Sequence, residues 1–254
     1  MTALERTPDF SVILTCYREG QSIREFHRRL TATMISLGRP YEVILTNDGS
    51  PDDTLEVMED IYDQDVNTRV LIDFCQNAGQ AAGQTAGILE SRGRALIFID
   101  TDLQLDPEDI PKLVMCFDEG ADMVGGCRTA RNDPPFRKVA SRLANTIIGN
   151  ILRNGMRDIF CCFKIVRADI VRSCGYSPRR LFHVLEVMRR CRISAEVRVN
   201  QHPRPHGRSG WPLPRLFASM LVAVFVSAGD PFRMVSRESA APKYEVRRIR
   251  RKGP

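Results

Sequence analysis

At 254 residues, with 43% apolar and 27% charged residues, the chain is long enough to bury a full core, and this balance excludes a disordered or fibrous polymer. It carries 37 Lys and Arg against 31 Asp and Glu, a net charge of +6 and a pI near 9.0. The surplus cations lie beyond Arg128, which points to an anionic partner such as phosphate, nucleic acid or an acidic membrane face. Eight cysteines without a CxxC pair argue against structural zinc and for free thiols in a reducing compartment, with Cys16, Cys75 and Cys127 as small core residues. The first residues contain no apolar signal core, so a cytoplasmic protein is expected.

In chain order, apolar runs and helix signals alternate. Strands are expected at 10–16, 41–46, 69–74, 95–99 and 123–125. Between them fall helices from Ser22 to about 36, from Asp52 or Asp53 through Ile61, at 80–90, and from Pro107 through Phe117. Continuous apolar strands alternating with helices imply a mostly parallel sheet covered on both faces. Ligands in such sheets sit at the carboxyl ends of the strands. Beyond 126 come a basic segment at 128–138, a helix at 141–152, strands at 159–166 and 195–199 with a helix at 180–190 between them, and a Pro/Gly/Arg loop at 202–214. The run 216–228 is wholly apolar or small but too short to span a bilayer, which takes about 20 residues, and over 213–228 bulky apolar residues fall on almost all sides of a helix. It reads equally as a helix lying at a membrane interface, a packed C-terminal helix or a contact with a second copy or an anchoring protein. A basic tail at 247–252 follows. The division expected is residues 1–212 as the main domain, with a nucleotide half at about 9–127 and an acceptor half at about 128–212, then 213–254 as helix and tail.

Four polar clusters directly follow strands and so collect on one rim. Asp100 and Asp102 stand one residue apart after the fourth strand, and in an extended backbone such residues point the same way. With a Gln104 oxygen they can converge on a hard cation, Mg²⁺ or Mn²⁺, held with a diphosphate. The plainer alternative is a solvated turn before the Pro107 helix. Asp48, in the turn 46–50, suits the NH groups of a base or a ribose, or an ordinary Asx turn. Tyr17 offers a ring for base stacking and Glu19 a carboxylate for ribose hydroxyls, unless both are surface turn residues. Gln76, Asn77 and Gln80 bring amides to a helix start, where diphosphate is also accepted, or simply cap that helix. Arg128, Arg142, Arg204 and Arg208 supply planar, bidentate phosphate donors, although any one alone reads as solvated. His202 and His206 either bind phosphate or pack.

Several long motifs in order make the chain similar to family 2 glycosyltransferases of the GT-A fold, a Rossmann-like α/β architecture. Among these it most resembles the polyprenyl-phosphate and dolichol-phosphate sugar transferases. The resemblance covers roughly residues 9–230. It rests on 11–19, 41–53, 76–87, Asp100-Thr101-Asp102-Leu103-Gln104 with Pro107, Gly125 to Arg128 with Ser141-Arg142, 158–164 and 202–209. The resemblance implies metal contacts from Asp100, Asp102 and Gln104. It also implies an inverting transfer from a UDP- or GDP-sugar to a polyprenyl phosphate at the cytoplasmic face of a membrane. Asp102, Arg128 and Arg142 would be catalytic, and Arg128, Arg142, Arg204 and Arg208 would hold the acceptor phosphate, with Asp158 as an orienting or a structural carboxylate. The chain departs from the pattern at Thr15, Asn47, Gln76 and Gly210-Trp211 and lacks a Glu-Met-His-Arg segment near 179–182, which bears on acceptor and sugar choice. Other readings are a glycosyltransferase for a soluble or polysaccharide acceptor, and an inactive nucleotide-sugar-binding subunit. Nucleic-acid binding is not expected, because aromatics are not interleaved with the basic residues.

Overall fold

The computed structural model describes residues 7–128, 146, 149, 155–203 and 241–253. Arg142, Arg204, Arg208, His206, the run 213–228 and most of the helix read at 141–152 lie outside the described residues. Eight strands form one sheet among the described residues: β1 (Phe10–Cys16), β2 (Tyr41–Asn47), β3 (Thr68–Phe74), β4 (Ala95–Phe98), β5 (Met123–Arg128), β6 (Lys164–Arg167), β7 (Ser194–Val199) and β8 (Val246–Arg251), in the order β7-β5-β6-β4-β1-β2-β3-β8. The helices are α1 (Ile23–Ser36), α2 (Thr54–Gln64), α3 (Gln80–Glu90), α4 (Ile110–Asp118, after a 3₁₀ turn at Pro107–Asp109), α5 (Ala168–Ser173) and α6 (Val184–Arg190).

The strands sort their side chains by the period of two. Phe10, Val12 and Leu14 of β1 join α1, α2 and α4 in one apolar layer, whereas Ile13 faces the opposite layer built with α3, α5 and α6. β1 lies between β2 and β4 and pairs parallel with both. The chain therefore leaves β1 toward one side and later returns on the other, which opens a crevice at the carboxyl ends of β1 and β4. A close approach keeps α3 tight against this central strand: a Cβ on Gly83 would lie 2.2 Å from Thr15 Cγ2.

Four expectations are corrected. Cys75, read as a core residue, is exposed just past the end of β3. The strand read at 159–166 is confined to Lys164–Arg167, and it runs antiparallel to both β4 and β5. Ile159, Cys161 and Phe163 are buried, but in a turn and the irregular stretch after it. The helix read at 180–190 begins only at Val184. The run read as a basic tail is a sheet strand, β8, which pairs antiparallel with β3. Charge explains its docking. Through residue 127 the chain has 23 Asp and Glu against 10 Lys and Arg, and β8 brings arginines to that acidic half. Arg248 pairs with Glu59, Arg250 with Asp63 at 2.5 Å, and Arg251 with Glu90 at 2.6 Å.

Candidate active site

The loop after β1 is latched to the loop after β2. The Arg18 N–H donates to Ser50 Oγ at 3.2 Å, and the Glu19 N–H to Thr54 Oγ1 at 2.8 Å. Arg18 takes a positive φ of 59° and lays its guanidinium over the Tyr17 ring at 5.3 Å, leaving that ring 39% exposed at the mouth of the crevice. Glu19 accepts a hydrogen bond from the Ser22 hydroxyl at 2.5 Å, so its carboxylate is oriented by the start of α1.

Asp48 is buried and spends its oxygens on the loop after β3. It accepts from the Ala78 N–H at 2.7 Å, the Gly79 N–H at 2.9 Å and the Asn77 amide at 2.8 Å. Burial pushes its carboxyl above the usual range, and the Ala78 and Gly79 N–H groups pull it part of the way back. Asp48 thus shapes the wall of the crevice by holding Asn77 and the approach to α3, while Gln76 stands exposed beside it. Gly49 makes this meeting of loops possible. Its φ is +64°, and a Cβ there would lie 2.4 Å from the Gln76 carbonyl carbon. Gly49→Ala therefore combines backbone strain with a backbone clash and is expected to cost about 2–4 kcal/mol in urea unfolding. A loss under about 0.5 kcal/mol would show that the two loops can part freely.

Asp100 and Asp102 follow β4 at the switch point. Asp100 accepts a hydrogen bond from the Gln80 side chain at 2.6 Å, which ties it to the first residue of α3. Asp102 is 5% exposed and accepts the Gln104 N–H at 3.1 Å, in a turn where Leu103 takes a φ of 59°. The Gln104 carbonyl accepts the His202 N–H at 2.8 Å, joining this turn to the late loop. Asp106 fixes the same junction, meeting His202 Nε2 at 2.8 Å and Arg29 at 2.6 Å. Burial opposes ionisation of Asp106, yet His202 and Arg29 hold its carboxyl below the usual range. His202, with its side chain half exposed, pairs with Asp106 while its backbone braces the carboxylate turn. Cys162 also belongs to this surrounding: its thiol is pushed up first by the Cys161 side chain and burial, and further by Asp100.

At the far end of β5, Asp158 grips Arg128. One carboxylate oxygen accepts Nε at 2.7 Å and the other Nη2 at 2.9 Å. The Arg128 N–H adds a contact of 3.2 Å to the first oxygen. Burial works against the guanidinium charge, but Asp158 holds Arg128 well above its ordinary range. Two of the five guanidinium N–H groups are committed, so a phosphate at Arg128 shares the residue with a carboxylate.

Among the described residues, the loops that carry the residues singled out from the sequence follow the carboxyl ends of the parallel strands β1 to β5. The structure joins Asp48 with Asn77, Gln80 with Asp100, Asp102 with Gln104 and Arg128 with Asp158. Sequence reasoning missed the braces Asp73, Asp106 and Arg247. Two carboxylates one residue apart are the donor type that a hard divalent cation shared with a diphosphate takes, since such ions use one or two protein carboxylates and fill the rest of the shell from substrate and water. Among the described residues there is no cluster of three or more His, Cys, Asp or Glu that would hold an ion unaided.

The family described as Glycosyl transferase family 2 matches residues 11–175. An undecaprenyl-phosphate 4-deoxy-4-formamido-L-arabinose transferase of Pseudomonas aeruginosa (strain LESB58) is 34% identical over 227 residues, covering 89% of this chain and 67% of the relative. A protein of the same name from Enterobacter sp. (strain 638) is 33% identical over 237 residues, covering 93% and 72%. Glucosyl-3-phosphoglycerate synthase of Mycobacterium tuberculosis, solved with Mn²⁺, UDP and phosphoglyceric acid, aligns at a TM-score of 0.64 and 16% identity, over 87% of this chain and 79% of that one. S. aureus TarS in complex with UDP-GlcNAc aligns at 0.58 and 17%, over 86% and 66%. These two likenesses carry the fold, the mostly parallel Rossmann-like sheet of the GT-A class, with its rim crevice. The chain belongs to glycosyl transferase family 2.

Proposed function

We propose that the protein transfers a glycosyl group, with inversion at the anomeric carbon, from a UDP- or GDP-linked sugar to the phosphate of a polyprenyl lipid. The observation that carries this reading is the carboxylate pair Asp100 and Asp102 at the β1/β4 switch point, braced by Gln80 on one side and by the His202 loop on the other. The acceptor class is supported by the name of the relatives, undecaprenyl-phosphate transferases that align over most of the chain.

Asp100 and Asp102, with Gln104 as a further oxygen donor, would hold Mg²⁺ or Mn²⁺, which when bound offsets the charge on the departing nucleotide. Tyr17 offers its exposed ring to the base, and Glu19 its carboxylate to the ribose. Gln76, Asn77 and Gln80, on the loop that Asp48 shapes, line the path of the diphosphate. A lipid phosphate is ionised at neutral pH, so the site needs no strong general base. Arg128, Arg142, Arg204 and Arg208 hold that phosphate beside an anionic donor, offsetting their mutual repulsion. Among the described residues no helix is long and apolar enough to cross a membrane. The run 213–228 and nearby basic residues supply contact with the cytoplasmic membrane face, directly or through an anchoring protein or a second copy.

Two experiments test this. The protein is incubated with Mn²⁺, undecaprenyl phosphate and labelled UDP- and GDP-sugars, including a nucleotide-linked 4-deoxy-4-formamido-L-arabinose. Label is expected in the chloroform phase with at least one donor; label that stays aqueous throughout sinks the lipid acceptor. Because β8 belongs to the sheet, membrane contact is tested by substitution rather than truncation. Phe217→Ser, Leu221→Ser and Phe225→Ser together are expected to abolish flotation with anionic liposomes, and unchanged flotation removes the interfacial role of this segment.

A further inference from the structure

The last strand of the chain reaches the nucleotide side of the crevice. β8 runs antiparallel to β3, so its first residues meet the carboxyl end of β3, with Val246 opposite Phe74 and Arg251 opposite Val70. Tyr244 stacks on Phe74 with ring centroids 4.6 Å apart and joins the buried cluster against which Ala78 packs. The Cys75 N–H donates to the Glu245 carbonyl at 3.0 Å, and Arg247 Nη2 donates to the Cys75 carbonyl at 3.2 Å. The residue that opens the loop carrying Gln76 and Asn77 is therefore gripped on both backbone groups by residues 245–247.

The same arginine also controls the loop after β2. Asp73, almost fully buried, accepts Arg247 Nη1 at 3.1 Å and the Asn47 amide at 2.8 Å. Asn47 in turn accepts the Ser50 N–H at 3.2 Å and so sets the turn from which Asp48 reaches the Ala78 and Gly79 N–H groups. An aspartate at 47 would press a second carboxylate against Asp73. The amide at 47 and the cation at 247 together make a buried Asp73 tolerable.

We propose, resting on the nucleotide-sugar reading, that Arg247 is a positioning residue for the donor nucleotide. Through Asp73 and Asn47 it fixes the turn 47–50, and through the Cys75 carbonyl it fixes the loop 75–79; the base enters between the two. The segment lies outside the stretch matched by the family, residues 11–175, so the matched domain receives part of its donor-site support from the far end of the chain.

The test uses the full-length protein with Arg247→Ala, Arg247→Lys and Arg251→Ala. Arg251 serves as the control, since it lies on the same strand and makes an ion pair with Glu90 at the opposite end. Binding of UDP and of GDP, each with Mn²⁺, is measured by titration calorimetry, together with donor KM and kcat. Arg247→Ala is expected to weaken the nucleotide that the wild type binds by about fivefold or more, and to raise donor KM with little change in kcat. Arg247→Lys should recover part of the loss, and Arg251→Ala, which removes an exposed pair, should stay within about twofold of wild type in nucleotide affinity. Hydrogen exchange of the peptide 75–80 should quicken in Arg247→Ala alone. Wild-type affinity in Arg247→Ala, or an equal loss in Arg251→Ala, overturns the positioning role and leaves the donor reading standing. A wild type that binds neither nucleotide overturns both.

Discussion

Asp102→Asn is expected to lower glycosyl transfer by roughly 10²–10³-fold while the protein melts within about 2 °C of wild type. The substitution is nearly isosteric, and the asparagine Oδ1 can still accept the Gln104 N–H that Asp102 accepts at 3.1 Å. The turn and its link to His202 therefore persist. What disappears is one of the two negative charges able to hold a cation on the donor diphosphate, and with it much of the compensation for charge developing on the leaving nucleotide. Labelled lipid product and a thermal melt, taken on the same preparation, check both halves of the statement. If more than about a tenth of the activity survives, the carboxylate pair does not carry the chemistry.

Asp158→Ala is expected to remove about 3–5 kcal/mol of stability, a large part of what a domain of this size commonly possesses. The Asp158 side chain is 5% exposed and that of Arg128 is 17% exposed, so deletion strands a guanidinium in a largely desolvated place. It also releases the Arg128 N–H at the end of β5. Replacing both partners, with Arg128→Met and Asp158→Leu, should restore much of the loss, because the penalty belongs to the unpaired charge rather than to the missing bond. Urea unfolding of the single and double variants decides this. Equal losses in Asp158→Ala and in the double variant would mean that the pair acts through shape and not through charge. On the proposed function, transfer should stay low in the double variant whatever its stability, because that reading places Arg128 on the acceptor side.

The central half of the molecule was legible because its elements write strong local signals. β1, β2 and β3 match their expected ranges to within a residue, and α3 coincides with the expected 80–90, starting just past Gly79. Fully buried parallel strands are uninterrupted apolar runs, and glycine marks the turns between strand and helix. Burial alone misled at 159–163, where a buried turn has the composition of a strand. α5, with six residues, is too short to show helical periodicity.

Local patterning also put Tyr17, Glu19, Asp48, Gln76, Asn77, Gln80, Asp100 and Asp102 on one rim, since parallel strands all deliver their following loops to the same end. Which of these face a substrate and which serve their neighbours depended on packing. Asp48 is occupied by the N–H groups of 78 and 79, and Arg128 by Asp158, through contacts some thirty residues apart in the chain. The longest-range case is the basic segment at the end. Val-Arg-Arg-Ile-Arg-Arg lacks the apolar alternation of a half-buried strand, and its arginines find Asp73, Glu59, Asp63 and Glu90 more than 150 residues earlier. By itself, then, the sequence determined the sheet, the direction of its loops and the carboxylate pair, because these follow from short-range periodicity. Only the tertiary structure decided that the arginines of β8 pair with carboxylates around β3, because electrostatic pairing across the fold leaves no mark on any local stretch of chain.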